Sequence, residues 1–143
     1  YLLGKYETAM QDAVDREYIQ QFIADGIIER FDETTDVRPF YSMSSVYVLP
    51  SYREGTPRTV LEAMAMGRPI ITTDTQGCRE TVLNGMNGFL VPVRNSEAIA
   101  EKMVWFINHP EKLSEMGKNS RQYAEEKFDV KKVNSDMMKT MRI

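Results

Sequence analysis

Glu54 and Glu62 bracket the run Glu54-Gly55-Thr56-Pro57-Arg58-Thr59-Val60-Leu61-Glu62. The apolar run Val46-Tyr47-Val48-Leu49-Pro50 precedes it and reads as a buried strand, and a helix-like run from Val60 to Met66 follows and stops at Gly67. A strand, a loop and a helix start therefore stand in a row, with one carboxylate in the loop and one on the helix. In open α/β sheets ligands bind at the carboxyl ends of strands, where helix N-termini point. Thr56 is expected to cap this helix through its hydroxyl, and Pro57 suits the first helical position, which needs no donor. The amides of Arg58, Thr59 and Val60 are then orphan donors at the positive end of a helix dipole, a setting that attracts phosphate. Gly55, without a Cβ, lets backbone approach a ligand closely. Glu62 lies about one and a half turns along, whereas Glu54 is free to point elsewhere. An acidic group on either side of an anion site suits a ligand with hydroxyls on both sides of its phosphates. A nucleotide sugar is such a ligand.

The elements that must hold this turn follow from apolar spacing. Tyr1 to Gly4 reads as the tail of a strand. Met10, Val14, Tyr18 and Phe22 recur every four residues and predict a helix from Glu7 to about Asp25, ended by Gly26. Ile27 to Phe31, Val46 to Leu49, Pro69 to Thr73 and Gly88 to Val91 read as short buried strands. Helices are expected over 36–43 with Asp36 as cap, over 56–66, and over 77–83. Such alternation predicts a parallel sheet covered on both faces, an α/β class. After Pro92 the chain turns helical: Ser96 to Asn108 with Ile99, Met103, Phe106 and Ile107 on one face, then a helix opened by Pro110, then Asp129 to Arg142 with a stripe at Met137, Met138 and Met141.

Composition excludes several function classes. Against 18 basic residues stand 21 acidic ones, net −3, so no global field recruits nucleic acid or an anionic membrane. Cys78 is the single cysteine, which rules out an internal disulfide and fits a reducing compartment. No apolar run approaches the ~20 residues of a membrane span. Cys78 and the single histidine, His109, have no spacing for zinc, and no D-x-D carboxylate pair is present to bring a divalent ion to a diphosphate. No metal or cofactor is expected.

Leu49-Pro50-Ser51-Tyr52-Arg53-Glu54-Gly55-Thr56-Pro57, followed by Leu61-Glu62-Ala63-Met64-Ala65-Met66-Gly67-Arg68-Pro69-Ile70-Ile71, resembles the donor-binding half of the group 1 retaining glycosyltransferases, including their E-x7-E pattern. The likeness continues through Thr73-Asp74, Gly77-Cys78-Arg79-Glu80, Asn84-Gly85 and Asn87-Gly88-Phe89-Leu90-Val91-Pro92. It implies a Rossmann-like doubly wound parallel sheet with C-terminal helices, one half of a GT-B architecture. On this pattern residues 1–128 form the nucleotide-sugar domain without its opening strand and helix. Residues 129–143 form a last helix that packs toward a companion domain.

The same resemblance assigns roles. Glu62 grips the ribose, and Glu54 lies beside the transferred sugar, where it binds hydroxyls or stabilises positive charge at the anomeric carbon; enzymes of this shape are thought to react on one face, without a covalent adduct. Gly55, Thr56, Pro57, Arg58, Thr59 and Val60 line the anion and sugar contacts, and Phe31 meets the base. The family commonly has a glycine after the Phe31 position, and Asp32-Glu33 departs from that. The implied partners are a nucleotide-sugar donor and a glycan or lipid-linked acceptor held by the companion domain. The implied setting is the cytoplasm, with the whole protein at the inner face of the membrane, in polysaccharide, lipopolysaccharide or glycoconjugate synthesis. The chain alone is expected to turn over nothing. Two other readings stay open: a non-catalytic sugar-nucleotide sensor, and a receiver-like signalling domain. The second needs an acidic cluster and a lysine at strand ends; Asp32 and Asp74 follow strands, but no acidic pair ends the first strand.

Overall fold

The structure, a computed structural model, describes residues 1–6 and 14–141. It divides into two compact units, Tyr1–Phe40 and Tyr41–Ile143. In the first, β1 (Leu2–Leu3) pairs in parallel with β2 (Arg30–Phe31), and α1 (Arg16–Ala24) connects them. Asp15 caps α1 by accepting from the Glu17 amide, and Gly26, at φ 70°, lets the chain leave it. The expected helix start from Glu7, with Met10, falls outside the described residues. Val14 and Tyr18 are exposed rather than inward-facing. α2 (Arg38–Met43) follows, starting two residues after the expected 36, and the Asp36 carboxylate accepts from its first amide, that of Arg38, at 3.1 Å.

In the second unit β3 (Tyr47–Leu49), β4 (Ile70–Thr73) and β5 (Gly88–Val91) form a parallel sheet in that order. The α/β class with parallel strands is thus present, its strands distributed over two sheets. Val48, Ile71 and Phe89 stand in register and share a face. With Val91 they gather Phe106 of α5 (Ser96–Asn108) and Met116 of α6 (Glu111–Lys127) into the apolar core. Residues of the alternate row, Tyr47 and Ile70, point the other way, toward α3 (Arg58–Ala65), whose Val60, Ala63 and Met64 are fully buried. α3 also packs along α6, where a Cβ on Gly117 would overlap the Gly67 carbonyl. Glycine is required there by close approach rather than by backbone angle.

Ile27, expected to open a buried strand, is exposed, and β2 covers only Arg30–Phe31. Three further expectations need correction. α5 has its predicted bounds, but Met103 and Ile107 are exposed; Trp105 and Phe106 turn inward onto Phe89 instead, and the Lys102 ammonium lies 4.8 Å from the Phe89 ring centre. α4 (Gln76–Arg79) ends after one turn instead of running to Leu83. Side chains take over the backbone groups there: the Thr81 hydroxyl donates to the Cys78 carbonyl, and Asn87 accepts from the Leu83 amide while donating to the Thr81 carbonyl. α3 begins at Arg58, not within residues 56–57 as expected, for the reason set out below. α7 (Val130–Met141) carries the methionine stripe on an exposed surface and has no buried residue. No helix among the described residues is long and apolar enough to cross a membrane.

Candidate functional site

The loop between β3 and α3 is held from β4. Two adjacent threonines on that strand are buried, and each hydroxyl reaches across to β3 or its exit. Thr72 donates to the Leu49 carbonyl at 2.8 Å. Thr73 donates to the Ser51 carbonyl, and its oxygen accepts from the Ser51 amide at 3.2 Å. Ser51, so fixed, faces Glu54 Oε1 at 3.2 Å and the Arg53 carbonyl at 3.3 Å with its own hydroxyl, whose single proton the two acceptors share. A β-branched residue suits the strand, and here its hydroxyl also sets where the loop leaves the sheet. Glu54 is half-buried against this clamp.

Gly77, in the first turn of α4, presses on the same loop. A Cβ there would overlap the Gly55 carbonyl and crowd that of Glu54. The Gly55 α-carbon itself faces open space. Gly77→Ala is therefore expected to push the Glu54-Gly55 backbone outward and to lower Tm by roughly 5–10 °C; thermal unfolding of that variant with unchanged Tm would contradict this packing.

At the helix start, Pro57 occupies the N-cap, extended at φ −72° and ψ 116°, with no side-chain cap bond. Thr56 is therefore not the cap, and Pro57 is not the first helical residue. With its carbonyl turned into the helix, Pro57 accepts from the Leu61 amide at 3.2 Å and from the Val60 amide at 3.1 Å. The Val60 amide is thus satisfied and its side chain fully buried, which removes Val60 from the open donors. The amides of Arg58 and Thr59 remain without a backbone acceptor among the described residues, at the positive end of an eight-residue helix. Thr56, Arg58 and Thr59 are exposed, and Pro57 is buried.

Glu62 stands further along α3 on its exposed side, with one oxygen engaged: Tyr41 donates to Glu62 Oε2 at 3.1 Å and also faces the Thr59 carbonyl at 3.0 Å. Tyr41 is buried and packs edge-on against Tyr47, ring centres 5.6 Å apart. Burial, then the neighbouring Tyr47 and Glu62, push the Tyr41 phenol well above the ordinary value of 10.0, so it stays an O–H donor. Burial likewise raises Tyr47, against a side-chain hydrogen bond with Thr59, and the charges of both Glu62 and Glu54 raise it further. The charges of the two carboxylates thus act on one phenol.

The unfolded chain releases both phenolic protons at lower pH than the folded one. The associated stability is therefore complete below about pH 10 and declines as pH rises through the higher folded-state values. Tyr47→Phe is expected to move the midpoint of alkaline unfolding, followed by circular dichroism, to higher pH; an unmoved or lowered midpoint would contradict the assignment.

Phe31 lies in the first unit, half-buried between Tyr1 and Phe40, with ring centres at 5.6 and 4.8 Å. Arg79 is occupied by Asp74 at 2.6 Å. The glutamate loop lies on an open edge; a cavity of about 730 Å³ is found at the other end of the sheet, lined by Ser45, Arg68, Pro69 and Lys118 among others. Among the described residues, no group of three or more His, Cys, Asp or Glu side chains is arranged to hold a metal. Sequence reasoning missed Tyr41, Tyr47 and Thr73 as the parts that aim the carboxylates.

Known proteins share this architecture. The sequence profile of the glycosyl transferases group 1 family matches residues 27–123. The capsular polysaccharide biosynthesis glycosyltransferase CapM of Staphylococcus aureus is 32% identical over 127 residues, covering 89% of this chain and 33% of that protein. The N,N'-diacetylbacillosaminyl-diphospho-undecaprenol alpha-1,3-N-acetylgalactosaminyltransferase of Campylobacter jejuni is 30% identical over 104 residues, covering 73% of this chain and 28% of that one. The crystal structure of Anabaena HepE in complex with UDP superposes with a TM-score of 0.87 at 26% identity, over 99% of this chain and 40% of that one. The chain thus spans about a third of the length of the curated relatives it matches. Profile, relatives and fold agree: the chain belongs to the group 1 glycosyl transferases and is a domain of the GT-B type.

Proposed function

We propose that this chain is the donor-binding half of a retaining hexosyltransferase that works in polysaccharide, lipopolysaccharide or glycoconjugate synthesis. The observation that carries the reading is the turn from β3 to α3, where two open amides, Arg58 and Thr59, lie between a clamped carboxylate and an anchored one. The diphosphate of a nucleotide sugar is a dianion that gains further charge as it leaves, and fixed N–H dipoles at a helix start stabilise it without reorganising. The Arg58 side chain adds a cation at the same edge. Charge on the leaving diphosphate is met in this way, and by basic groups elsewhere in the whole protein, with no metal ion required.

Glu62 accepts from the vicinal ribose hydroxyls, and Gly55 and Thr56 meet the sugar. Glu54, held by Ser51, accepts from sugar hydroxyls and stabilises the positive charge that builds at the anomeric carbon as the phosphate bond lengthens. Phe31 serves the base. The acceptor, a glycan or lipid-linked glycan, is bound by a companion domain, toward which the exposed methionines of α7 turn, and the whole protein works in the cytoplasm at the inner face of the membrane. The chain by itself binds donor weakly and turns over nothing.

The relatives support this reading by the company they keep. HepE has been crystallised with UDP and with UDP-glucose, and CapM is named for capsular polysaccharide synthesis. The test is calorimetric titration of the intact protein with UDP, GDP and ADP, followed by a transfer assay in which the anomeric configuration of the product is read by NMR. Saturable binding of one diphosphate and a product with the donor's configuration are expected. Absence of binding to all three would overturn the site, and inversion would overturn the mechanism alone.

A further inference from the structure

Glu62 is exposed on α3, and a long glutamate side chain loses much rotamer freedom when it is fixed. A carboxylate that must accept two hydroxyl groups at once works best if that entropy is already spent before the ligand arrives. The structure contains the device. Tyr41, twenty-one positions earlier and within α2, sends its phenol to Glu62 Oε2. Its single proton faces two acceptors, that oxygen and the Thr59 carbonyl one turn back on α3. The phenol is thus referenced to the helix backbone while it holds the side chain. The ring that carries it is buried and wedged edge-on against Tyr47 of β3, so its position is set by the core rather than by solvent.

A bond from a neutral O–H to a carboxylate is charge-assisted and short-ranged. It occupies one lone pair of Oε2 and leaves Oε1 and the remaining lone pairs for a ligand. Without that bond the glutamate would be a freely rotating surface side chain, and the Tyr41 hydroxyl would keep the Thr59 carbonyl as its one acceptor.

We propose that Tyr41 is a positioning residue for the donor: it fixes the Glu62 carboxylate in the orientation that receives the two ribose hydroxyls. This rests on the assignment of Glu62 to the ribose. Tyr41 touches no ligand and acts only through Glu62, so its contribution exists only for ligands that carry those hydroxyls.

The test pairs each variant with two ligands in the intact protein. Of UDP, GDP and ADP, the diphosphate that the wild type binds best is compared with its 2′,3′-dideoxy analogue by calorimetry. Tyr41→Phe keeps the ring and its packing on Tyr47 and removes only the hydroxyl. It is expected to weaken the ribose diphosphate about 5- to 15-fold and the dideoxy analogue less than about twofold, a coupling that a purely structural role does not produce. In turnover, the KM for donor rises with kcat at saturation nearly unchanged. Equal weakening of both ligands makes Tyr41 a packing residue only and overturns the proposal, as does no weakening of either. Glu62→Ala separates the two levels. If it discriminates between the ligands and Tyr41→Phe does not, the ribose assignment survives and this proposal falls; if it does not discriminate, or if no diphosphate binds, the assignment falls and takes the proposal with it.

Discussion

Replacing Glu54 with alanine in the intact protein is expected to lower kcat by roughly 10²- to 10³-fold, with the donor KM changed only a few-fold. The effect is large because the side chain does not rest on solvent. Ser51 donates to one of its oxygens, and Ser51 is itself locked to β4 by both hydrogen bonds of Thr73. A carboxylate so placed pays little reorganisation when charge appears beside it. Glu54→Gln keeps the shape and the bond from Ser51 but removes the charge, so a similar loss in that variant separates charge stabilisation from simple placement. Steady-state kinetics of both variants decide it. Retention of full kcat in each would remove Glu54 from the reaction.

Glu62→Ala is expected to act at the other step, weakening binding of a nucleoside diphosphate roughly 100-fold, as two charge-assisted bonds of about 1.5–3 kcal/mol each are lost and partly replaced by water. The truncation also leaves the buried Tyr41 hydroxyl with one acceptor, the Thr59 carbonyl, which limits any loss of fold stability. Isothermal calorimetry should therefore show a large fall in affinity beside a small change in Tm. A large drop in Tm with unchanged affinity would make Glu62 a helix-surface partner of Tyr41 and nothing more.

Much of this arrangement was legible along the chain. The runs at Val46, Pro69 and Gly88 became β3, β4 and β5 because they are apolar, short and flanked by turn residues, signals that depend on nearby positions alone. The bounds of α5, Ser96–Asn108, were legible for the same reason, with Asn95 accepting from the Ala98 amide at its start and Pro110 beyond its end. Local signals failed where another group, adjacent in one case and distant in the other, took over the expected one. Thr56 has the chemistry of a cap, but the extended Pro57 turns its own carbonyl into the helix and uses the Val60 amide. α4 stops early because the Asn87 side chain, arriving from the start of β5, claims backbone groups at Thr81 and Leu83.

The site shows the same division. Both glutamates and the helix start could be named from spacing. What aims them could not: nothing near Tyr41 in the sequence points to Glu62, and Thr73 reads as an ordinary β-branched strand residue. Gly77 was visible as part of a shared pattern. Its cause, the Gly55 carbonyl packed on its α-carbon, exists only after two loops from different strands have met.

The central claim is that the open amides of Arg58 and Thr59 bind a diphosphate that Glu62 and Glu54 flank. Diffraction from crystals of the intact protein soaked with a nucleoside diphosphate sugar tests it most directly. Phosphate oxygens within hydrogen-bond reach of those two amides are expected, with the ribose on the Glu62 carboxylate and the hexose beside Glu54. A diphosphate bound elsewhere, with the Arg58 and Thr59 amides covered by protein, would contradict it.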